Sequence, residues 1–193
     1  MSGPLDEADR VGRIPSGGLR ELGAINWAVA KIGARAVQAP EMHLFTALGH
    51  RRLLYWTFLY YSARLLRGRL PRVDTELVIL RVAHLRSSEY ELQHHRRIGR
   101  RAGIDGATQA AIFSWPENAE NDVTLTARQR ALLAATDELI TTRTISATTW
   151  QQLATHLNSP RLIEFCLLAA QYDALAATIS ALNLPLDHPR DYR

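Results

Sequence analysis

The sequence predicts an all-α protein, with helices packed around a central antiparallel helical hairpin. Apolar residues recur at helical spacing through most of the chain, for example from Leu19 to Val37. Helix-start signals and glycine stops separate these segments: Thr126 precedes Gln129 by three residues, and Gly103 follows an earlier segment. No segment shows the alternation of apolar and polar residues that marks a strand.

The predicted helices begin and end at recognisable residues. Pro40 suits the first turn of a new helix, Ser146 opens another, and Ser159 with Pro160 opens the last. Residues 1–18 contain six Gly and Pro residues, which predicts an irregular arm followed by a single all-helical domain over 19–193. In chain order the predicted helical segments cover 19–37, 50–67, 74–86, 90–102, 104–113, 127–142, 148–157 and 160–182.

Composition and charge narrow the class of protein. Hydrophobic residues at 47% and charged residues at 22% are ordinary for a globular chain, and a net charge of +4 permits an anionic partner without requiring one. The single cysteine, Cys166, lies in an apolar run, so it excludes an internal disulfide and is expected to be buried. The polar N-terminus and the absence of a run of ~18 uncharged apolar residues predict a cytoplasmic protein with no membrane association.

The residues capable of chemistry cluster between Asp74 and Arg101. Glu91 and His95 are four residues apart on a predicted helix, so they lie on one face, where a carboxylate can orient an imidazole and relay protons. Only a few residues join this helix to the preceding one. That length suits an antiparallel hairpin, which could bring Glu76 near the Glu91/His95 face.

Other interpretations of these residues stay open on local grounds. Ser88 and Glu91 also form an S-x-x-E capping box, which would satisfy the first backbone N–H groups of the helix. The adjacent side chains of His94 and His95 diverge by about 100°, so we expect no metal site. The basic edge is expected to be solvated or to contact another subunit rather than nucleic acid; it comprises Arg96, Arg97, Arg100 and Arg101.

Three segments resemble the carboxymuconolactone decarboxylase family, which also contains the alkylhydroperoxidase D-like proteins: Glu76–Ala83, Ser88–Glu91 and Arg101–Ile104, with His95 between the last two. That family has a Glu early in one helix and a C-x-x-C or Tyr-Glu element at the start of the next. A His follows four residues later, and Ala-Gly soon after. The resemblance covers roughly residues 44–116, and it implies that Glu76 and His95 are the family's Glu and His.

The same resemblance implies that Ser88 and Glu91 stand where the peroxidase branch has its two cysteines. Thiol peroxidase chemistry needs one thiolate to attack the peroxide and a second thiol to resolve the sulfenate. A serine hydroxyl and a carboxylate can do neither, so we expect no dithiol peroxidase activity despite the family label.

What the resemblance implies instead is the acid–base chemistry of the decarboxylase branch, acting without a cofactor on a small organic substrate that carries a carboxylate. His95 would be the general acid/base tuned by Glu91, with Glu76 as a second proton relay and Ser88 beside them. Arg81 would hold the substrate carboxylate, unless it is a surface or inter-subunit ion-pair residue. Tyr90 would bind substrate with the aromatic residues of the preceding helices, although helical spacing favours a core role for Trp56, Tyr60 and Tyr61.

The alternative function is a catalytically silent family member that acts as an oligomeric ligand-binding or structural protein. Both functions predict a homo-oligomer, whether dimer, trimer or hexamer, because small helical units of this family bury apolar faces between subunits. They differ at the site. An enzyme would bring Glu76, Glu91 and His95 together on an enclosed pocket with a raised carboxylate pKa, whereas a silent member would fold Glu91 onto the Ser88 cap and leave His95 solvated.

Overall fold

A computed structural model of the chain describes residues 12–117 and 124–188. Ten helices and no strand occur in these two ranges, so the all-α prediction is confirmed. The helices are α1 Leu19–Leu22, α2 Ala24–Ala36, α3 His43–Leu48, α4 Arg52–Leu66, α5 Arg72–Leu85, α6 Glu89–Arg101, α7 Gly106–Ser114, α8 Ala127–Thr142, α9 Ala147–Ala154 and α10 Ser159–Leu182.

The first predicted helix, 19–37, is in fact two helices. Gly23 separates α1 from α2 with φ 76° and ψ 160°, a conformation that glycine adopts without the penalty that a Cβ would bring. The prediction for Pro40 is also wrong, because α3 begins at His43 and Pro40 lies in the bend before it.

Most of the later helices begin at the predicted residues. The Asp105 side chain accepts from Thr108 N at 2.8 Å, and Thr126 forms the predicted capping box with Gln129. The last helix differs from the prediction. Its first turn is capped by Asn158, whose Oδ1 accepts from Arg161 N at 3.3 Å, and Ser159 already belongs to the helix.

The chain folds into two compact units. The first lies within Met1–Ala63 and Thr178–Arg193, and the second is Arg64–Ala177. The prediction of one domain over 19–193 stays a prediction. Of the predicted N-terminal arm, residues 1–11 lie outside the described residues, while 12–18 have no helix and Arg13 N donates to Leu182 O at 2.9 Å within the first unit.

The centre of the second unit is α5, whose residues from Asp74 to Ala83 are all buried. A helix that is enclosed on every side needs partners for its polar residues. Asp74 accepts a hydrogen bond from Arg128 Nε of α8 at 2.8 Å. Further along α5, Arg81 Nε donates to Asp137 Oδ1 of α8 at 2.6 Å. This enclosed position places the Glu76 side chain in the interior.

One helix, Ser159–Leu182, is long and apolar enough by length and composition to cross a membrane, which the sequence prediction did not anticipate. Both of its acidic side chains have partners within the second unit. Glu164 accepts from the backbone N of Arg69 at 2.7 Å and of Leu70 at 3.0 Å, and Asp173 pairs with two arginines. These are the contacts of a helix packed against protein.

The aromatic residues of α4 do not match the core prediction. Trp56 is 45% exposed and Tyr60 is 71% exposed, so neither is a core residue. The buried aromatic residue of α4 is Tyr55, which is 1% exposed. Its ring centroid lies 5.6 Å from that of Phe45 in an edge-on arrangement. Cys166 is only half-buried, where the sequence predicted burial.

Candidate active site

The Glu76 and His95 side chains meet between α5 and α6. His95 Nδ1 lies 2.7 Å from Glu76 Oε2, within hydrogen-bonding distance. The Glu76 side chain is fully buried and the His95 side chain keeps 11% exposure. Because the Glu76 carboxylate engages Nδ1, the imidazole nitrogen that can exchange a proton with another molecule is Nε2.

Arg72 stands on the other side of the Glu76 carboxylate, one turn earlier on α5. Its Nη2 lies 2.8 Å from Glu76 Oε1, although the angles do not meet those of a hydrogen bond. The contact is therefore an ion pair, and its arginine is 43% exposed at the side chain. Glu76 is thus fixed by Arg72 on one oxygen and His95 on the other.

Glu91 is a buried carboxyl group on the same helix as His95. It is 3% exposed, and neither carboxyl oxygen has a hydrogen-bond partner among the described residues. Burial raises the pKa of Glu91 to about 7, and Asp173 adds to the rise, while the Ser88 hydroxyl and His95 oppose it. A substantial share of Glu91 is therefore protonated near neutral pH.

The capping interpretation of Ser88 and Glu91 is wrong. Ser88 occupies the N-cap position of α6, but its side chain makes no capping hydrogen bond. Its buried Oγ also fails the geometry of a hydrogen bond to Glu91, even though the hydroxyl acts on the pKa of that carboxyl. Both side chains are left with unsatisfied polar atoms inside the protein.

Tyr172 of α10 is a site residue that the sequence prediction missed. Its ring packs edge-on against His95, with ring centroids 5.2 Å apart. Burial raises the pKa of Tyr172 well above its usual value, and the charges of Glu76 and Glu91 raise it further, so the side chain is a neutral phenol. Tyr172 lies in an alanine-rich helix 77 residues after His95 (172 − 95), and no local pattern marks it.

The predicted role of Arg81 in holding a substrate carboxylate is not supported. Arg81 is 3% exposed; its Nε and Nη2 donate to the two carboxyl oxygens of Asp137 at 2.6 and 2.7 Å. Its Nη1 donates to Ile112 O at 2.9 Å. The guanidinium is therefore the centre of a buried ion pair within the chain, neither a surface residue nor one available to a ligand.

The contacts of the two glutamates differ from the expected ones, while their roles stay predictions. The sequence prediction had Glu91 tuning His95 and Glu76 as a second relay, but Glu76 is the group bonded to the imidazole. Glu91 is instead the carboxyl with a pKa near neutrality. Tyr90 is buried at 4% exposure, edge-on to His94 at 5.3 Å, and its role in substrate binding stays a prediction.

No three His, Cys, Asp or Glu side chains converge as a metal site requires in the part of the chain that the structure describes. The site that the geometry defines is thus an imidazole held by one carboxylate, beside a second carboxyl group and a phenol. These are the groups of an acid–base centre.

Comparison with known proteins identifies the class to which this helical site belongs. The sequence profile of the Carboxymuconolactone decarboxylase family matches residues 52–138, which include Glu76, Ser88, Glu91 and His95. This match agrees with the resemblance to the carboxymuconolactone decarboxylase family that the sequence predicted. No curated protein is similar enough to count as a relative.

Solved structures share the fold at low sequence identity. An uncharacterised peroxidase-related protein from Ralstonia eutropha JMP134, described as an alkylhydroperoxidase AhpD core, is 16% identical; the match covers 97% of this chain and 95% of that one, with a TM-score of 0.76. An uncharacterised peroxidase-related protein from Silicibacter sp. TM1040 is 14% identical over 95% and 94%, with a TM-score of 0.71. A protein of unknown function from Agrobacterium tumefaciens is 12% identical over 67% and 87%, with a TM-score of 0.61.

Proposed function

We propose that the protein is an acid–base enzyme that moves protons on a small organic molecule, with lyase or isomerase chemistry like that of the decarboxylase branch. The observation that carries the proposal is the 2.7 Å contact between His95 Nδ1 and Glu76 Oε2, with Glu91 close by at a pKa of about 7. An imidazole held by a carboxylate, beside a carboxyl group whose pKa is near neutrality, is an arrangement that such catalysis uses.

The alternative of a catalytically silent protein has less support. It calls for Glu91 folded onto the Ser88 cap and for a solvated His95, whereas Ser88 makes no capping bond and His95 is 8% exposed. A buried carboxyl with a raised pKa and no hydrogen bond costs stability, and such groups cluster at functional sites.

We also propose that the protein does not act as a dithiol peroxidase. The chain has one cysteine, Cys166, and burial raises the pKa of its thiol, which disfavours the reactive thiolate. Ser88 and Glu91 stand at the start of α6, and neither side chain can be oxidised to a sulfenate and resolved.

The experiment is a screen for proton exchange. Small lactones, ketones and organic acids are incubated with the protein in heavy water, and NMR follows the loss of each carbon-bound proton. We expect His95→Gln to lower the exchange rate of a hit by about 10²- to 10⁴-fold, the usual contribution of general acid–base catalysis. The matched control is Arg100→Gln, an exposed residue of the same helix, which leaves the rate unchanged.

Two results would contradict the proposal. One is exchange that His95→Gln leaves intact. The other is a dithiol-dependent peroxide reduction that survives Cys166→Ser, because this sequence offers no second thiol for it.

A further inference from the structure

We propose that the site takes an uncharged carbonyl compound, such as a neutral lactone or ketone, and not a carboxylate. Ser88 and Glu91 bind the carbonyl oxygen while His95 removes a proton from the adjacent carbon. This inference rests on the proposed acid–base function and names its substrate class.

The charges around the site carry the first step. The carboxyl groups of Glu76 and Glu91 are close enough to Tyr172 to raise its pKa. Asp173, the next residue of α10, is close enough to Glu91 to raise the pKa of that carboxyl. Glu91 is uncharged when it donates its proton, so the charged acid beside His95 is Glu76. A substrate carboxylate placed there would add a second negative charge to a buried space, and a buried charge without its own counter-ion is costly.

The arginines of the second unit that lie near these acids are already engaged. Arg72 pairs with Glu76, and both Arg86 and Arg143 pair with Asp173. Arg81, which the sequence offered as the anion-binding residue, is committed to Asp137 and to a backbone carbonyl. A carboxylated substrate would have to displace one of these pairs, whereas a neutral substrate would not.

The unsatisfied polar atoms carry the second step. Ser88 Oγ and both Glu91 carboxyl oxygens are buried without hydrogen bonds, and the two residues lie three apart at the start of α6, so they face the same side. A hydroxyl and a protonated carboxyl each offer one O–H donor. A carbonyl oxygen accepts two hydrogen bonds, so one such oxygen satisfies both donors.

The reaction follows from these positions and needs no oxidant or reductant. His95 Nε2 takes the proton from the carbon beside the carbonyl, and the electron pair of that C–H bond forms a C=C bond. The carbonyl π pair moves to oxygen, which takes the proton of Glu91, so the product is a neutral enol. Imidazolium and carboxylate result, and Glu76 stabilises the imidazolium. In a β,γ-unsaturated substrate the enol is conjugated with the second C=C bond, so His95 returns its proton to the γ-carbon. The enol O–H proton goes back to Glu91 as the carbonyl re-forms, which completes an isomerisation.

The test compares matched substrates in heavy water at pH 6.5: a panel of neutral unsaturated lactones and the same lactones bearing a carboxylate. We expect kcat/KM for exchange to be at least tenfold higher for the neutral member of a pair. Glu91→Gln, whose amide still donates a hydrogen bond but cannot release a proton, lowers kcat by about 10²-fold or more with little change in KM. Ser88→Ala lowers kcat/KM, and the exposed Glu89→Gln leaves both constants unchanged.

The outcomes distinguish failure of the neutral-substrate inference from failure of the proposed acid–base function. Faster exchange of the carboxylated member, dependent on His95, overturns the inference and leaves the acid–base function standing. Unchanged kinetics in Glu91→Gln also overturn the inference. No exchange with any member of the panel overturns both, and circular dichroism of each variant shows that the comparison is made between folded proteins.

Discussion

Glu91 carries a carboxyl group that lies in the interior without a hydrogen bond from any described residue. Burying the charged form of such a group is unfavourable, so its pKa rises to about 7 and the folded protein holds the proton more tightly than the unfolded chain does. This difference links the ionisation of one residue to the stability of the fold.

The linkage gives a prediction with a definite sign. With an unfolded pKa of 4.5 and a folded pKa of about 7, Glu91 favours folding fully below pH 4.5, and that contribution is lost as pH rises to 7. Two and a half pKa units correspond to about 3 kcal/mol. Urea unfolding of wild type and Glu91→Gln across pH 4–8 measures this contribution, since the amide does not titrate. Between the low and the high end of that range, the unfolding free energy of the variant should rise by about 3 kcal/mol relative to that of wild type.

The matched control for this measurement is Arg100→Gln, an exposed residue of the same helix. Its unfolding free energy should follow wild type across pH 4–8. Parallel pH curves for wild type and Glu91→Gln would mean that Glu91 titrates normally, and the acid assigned to the site would be lost.

At the scale of helices, α5 and α8 are joined by the ion pair between the buried Arg81 and the part-buried Asp137. Removing one partner of a buried pair leaves the other uncompensated. We expect Arg81→Met to lower the free energy of unfolding by about 3 kcal/mol, and the double change with Asp137→Leu to recover much of it. Urea denaturation measures both, with exposed Arg100→Met as a control that changes stability by less than about 0.5 kcal/mol.

A role for Arg81 in substrate binding would give the opposite result. In that case Arg81→Met would leave the unfolding free energy near that of wild type and raise KM for the substrate. The structure predicts a loss of stability instead, because all three guanidinium nitrogens have partners within the chain.

Helix starts provide a second comparison between elements. The Thr126 hydroxyl oxygen caps α8 by accepting a hydrogen bond from Gln129 N, whereas Ser88 at the start of α6 makes no such bond. Thr126→Ala should therefore cost about 1 kcal/mol, and Ser88→Ala should cost nothing measurable or stabilise slightly. Thermal unfolding of the two variants decides it: an equal loss in both would show that Ser88 caps its helix after all.

Local signals in the sequence account for most of the elements and for part of the site. The caps at Asp105 and Thr126 and the stop at Gly103 act within a few residues, so their patterns are legible in the chain. The short α5–α6 connection likewise predicted that Glu76 could approach His95. The sequence pattern does not predict a helix break at Gly23, because the apolar spacing continues across it.

What the sequence could not predict depends on distant residues. The partner of Arg81 lies 56 positions further along the chain, and without it an arginine among apolar residues is open to several interpretations. Tyr172 reaches His95 only through the packing of α10 within the second unit. The state of Glu91 depends on its total burial, which no spacing rule supplies.

At the scale of the whole chain, the fold is shared with proteins that are only 12–16% identical. Most of the individual residues can therefore differ while the fold is kept. In the first unit, the segment that follows α10 contacts the region of α2 and α3: His43 Nδ1 lies 2.6 Å from Asp187 Oδ1, and His188 Nε2 lies 3.0 Å from Val37 O.

The His43 contact gives a pH prediction for the first unit. The hydrogen bond to Asp187 raises the pKa of His43 above 6.5, against the effect of burial, with Glu41 adding to the rise. A raised histidine pKa means that its stabilisation is fully present below pH 6.5 and is lost as pH rises through the folded value. NMR titration of the His43 ring should show a pKa above 6.5 that falls in Asp187→Asn; the exposed Glu117→Gln serves as the control. An unchanged titration in Asp187→Asn would rule out this attachment of the C-terminal segment.

The most direct test of the acid–base site is the ionisation of Glu91 itself. Carbon-13 NMR of protein labelled at the glutamate carboxyl carbon, with Glu91→Gln to assign the resonance, follows that group alone. The proposed site predicts a midpoint of about 7, raised because the carboxyl is buried. A midpoint near the ordinary 4.5 would show that Glu91 is charged and solvated at neutral pH, and the protein would lack the acid that the proposed chemistry requires.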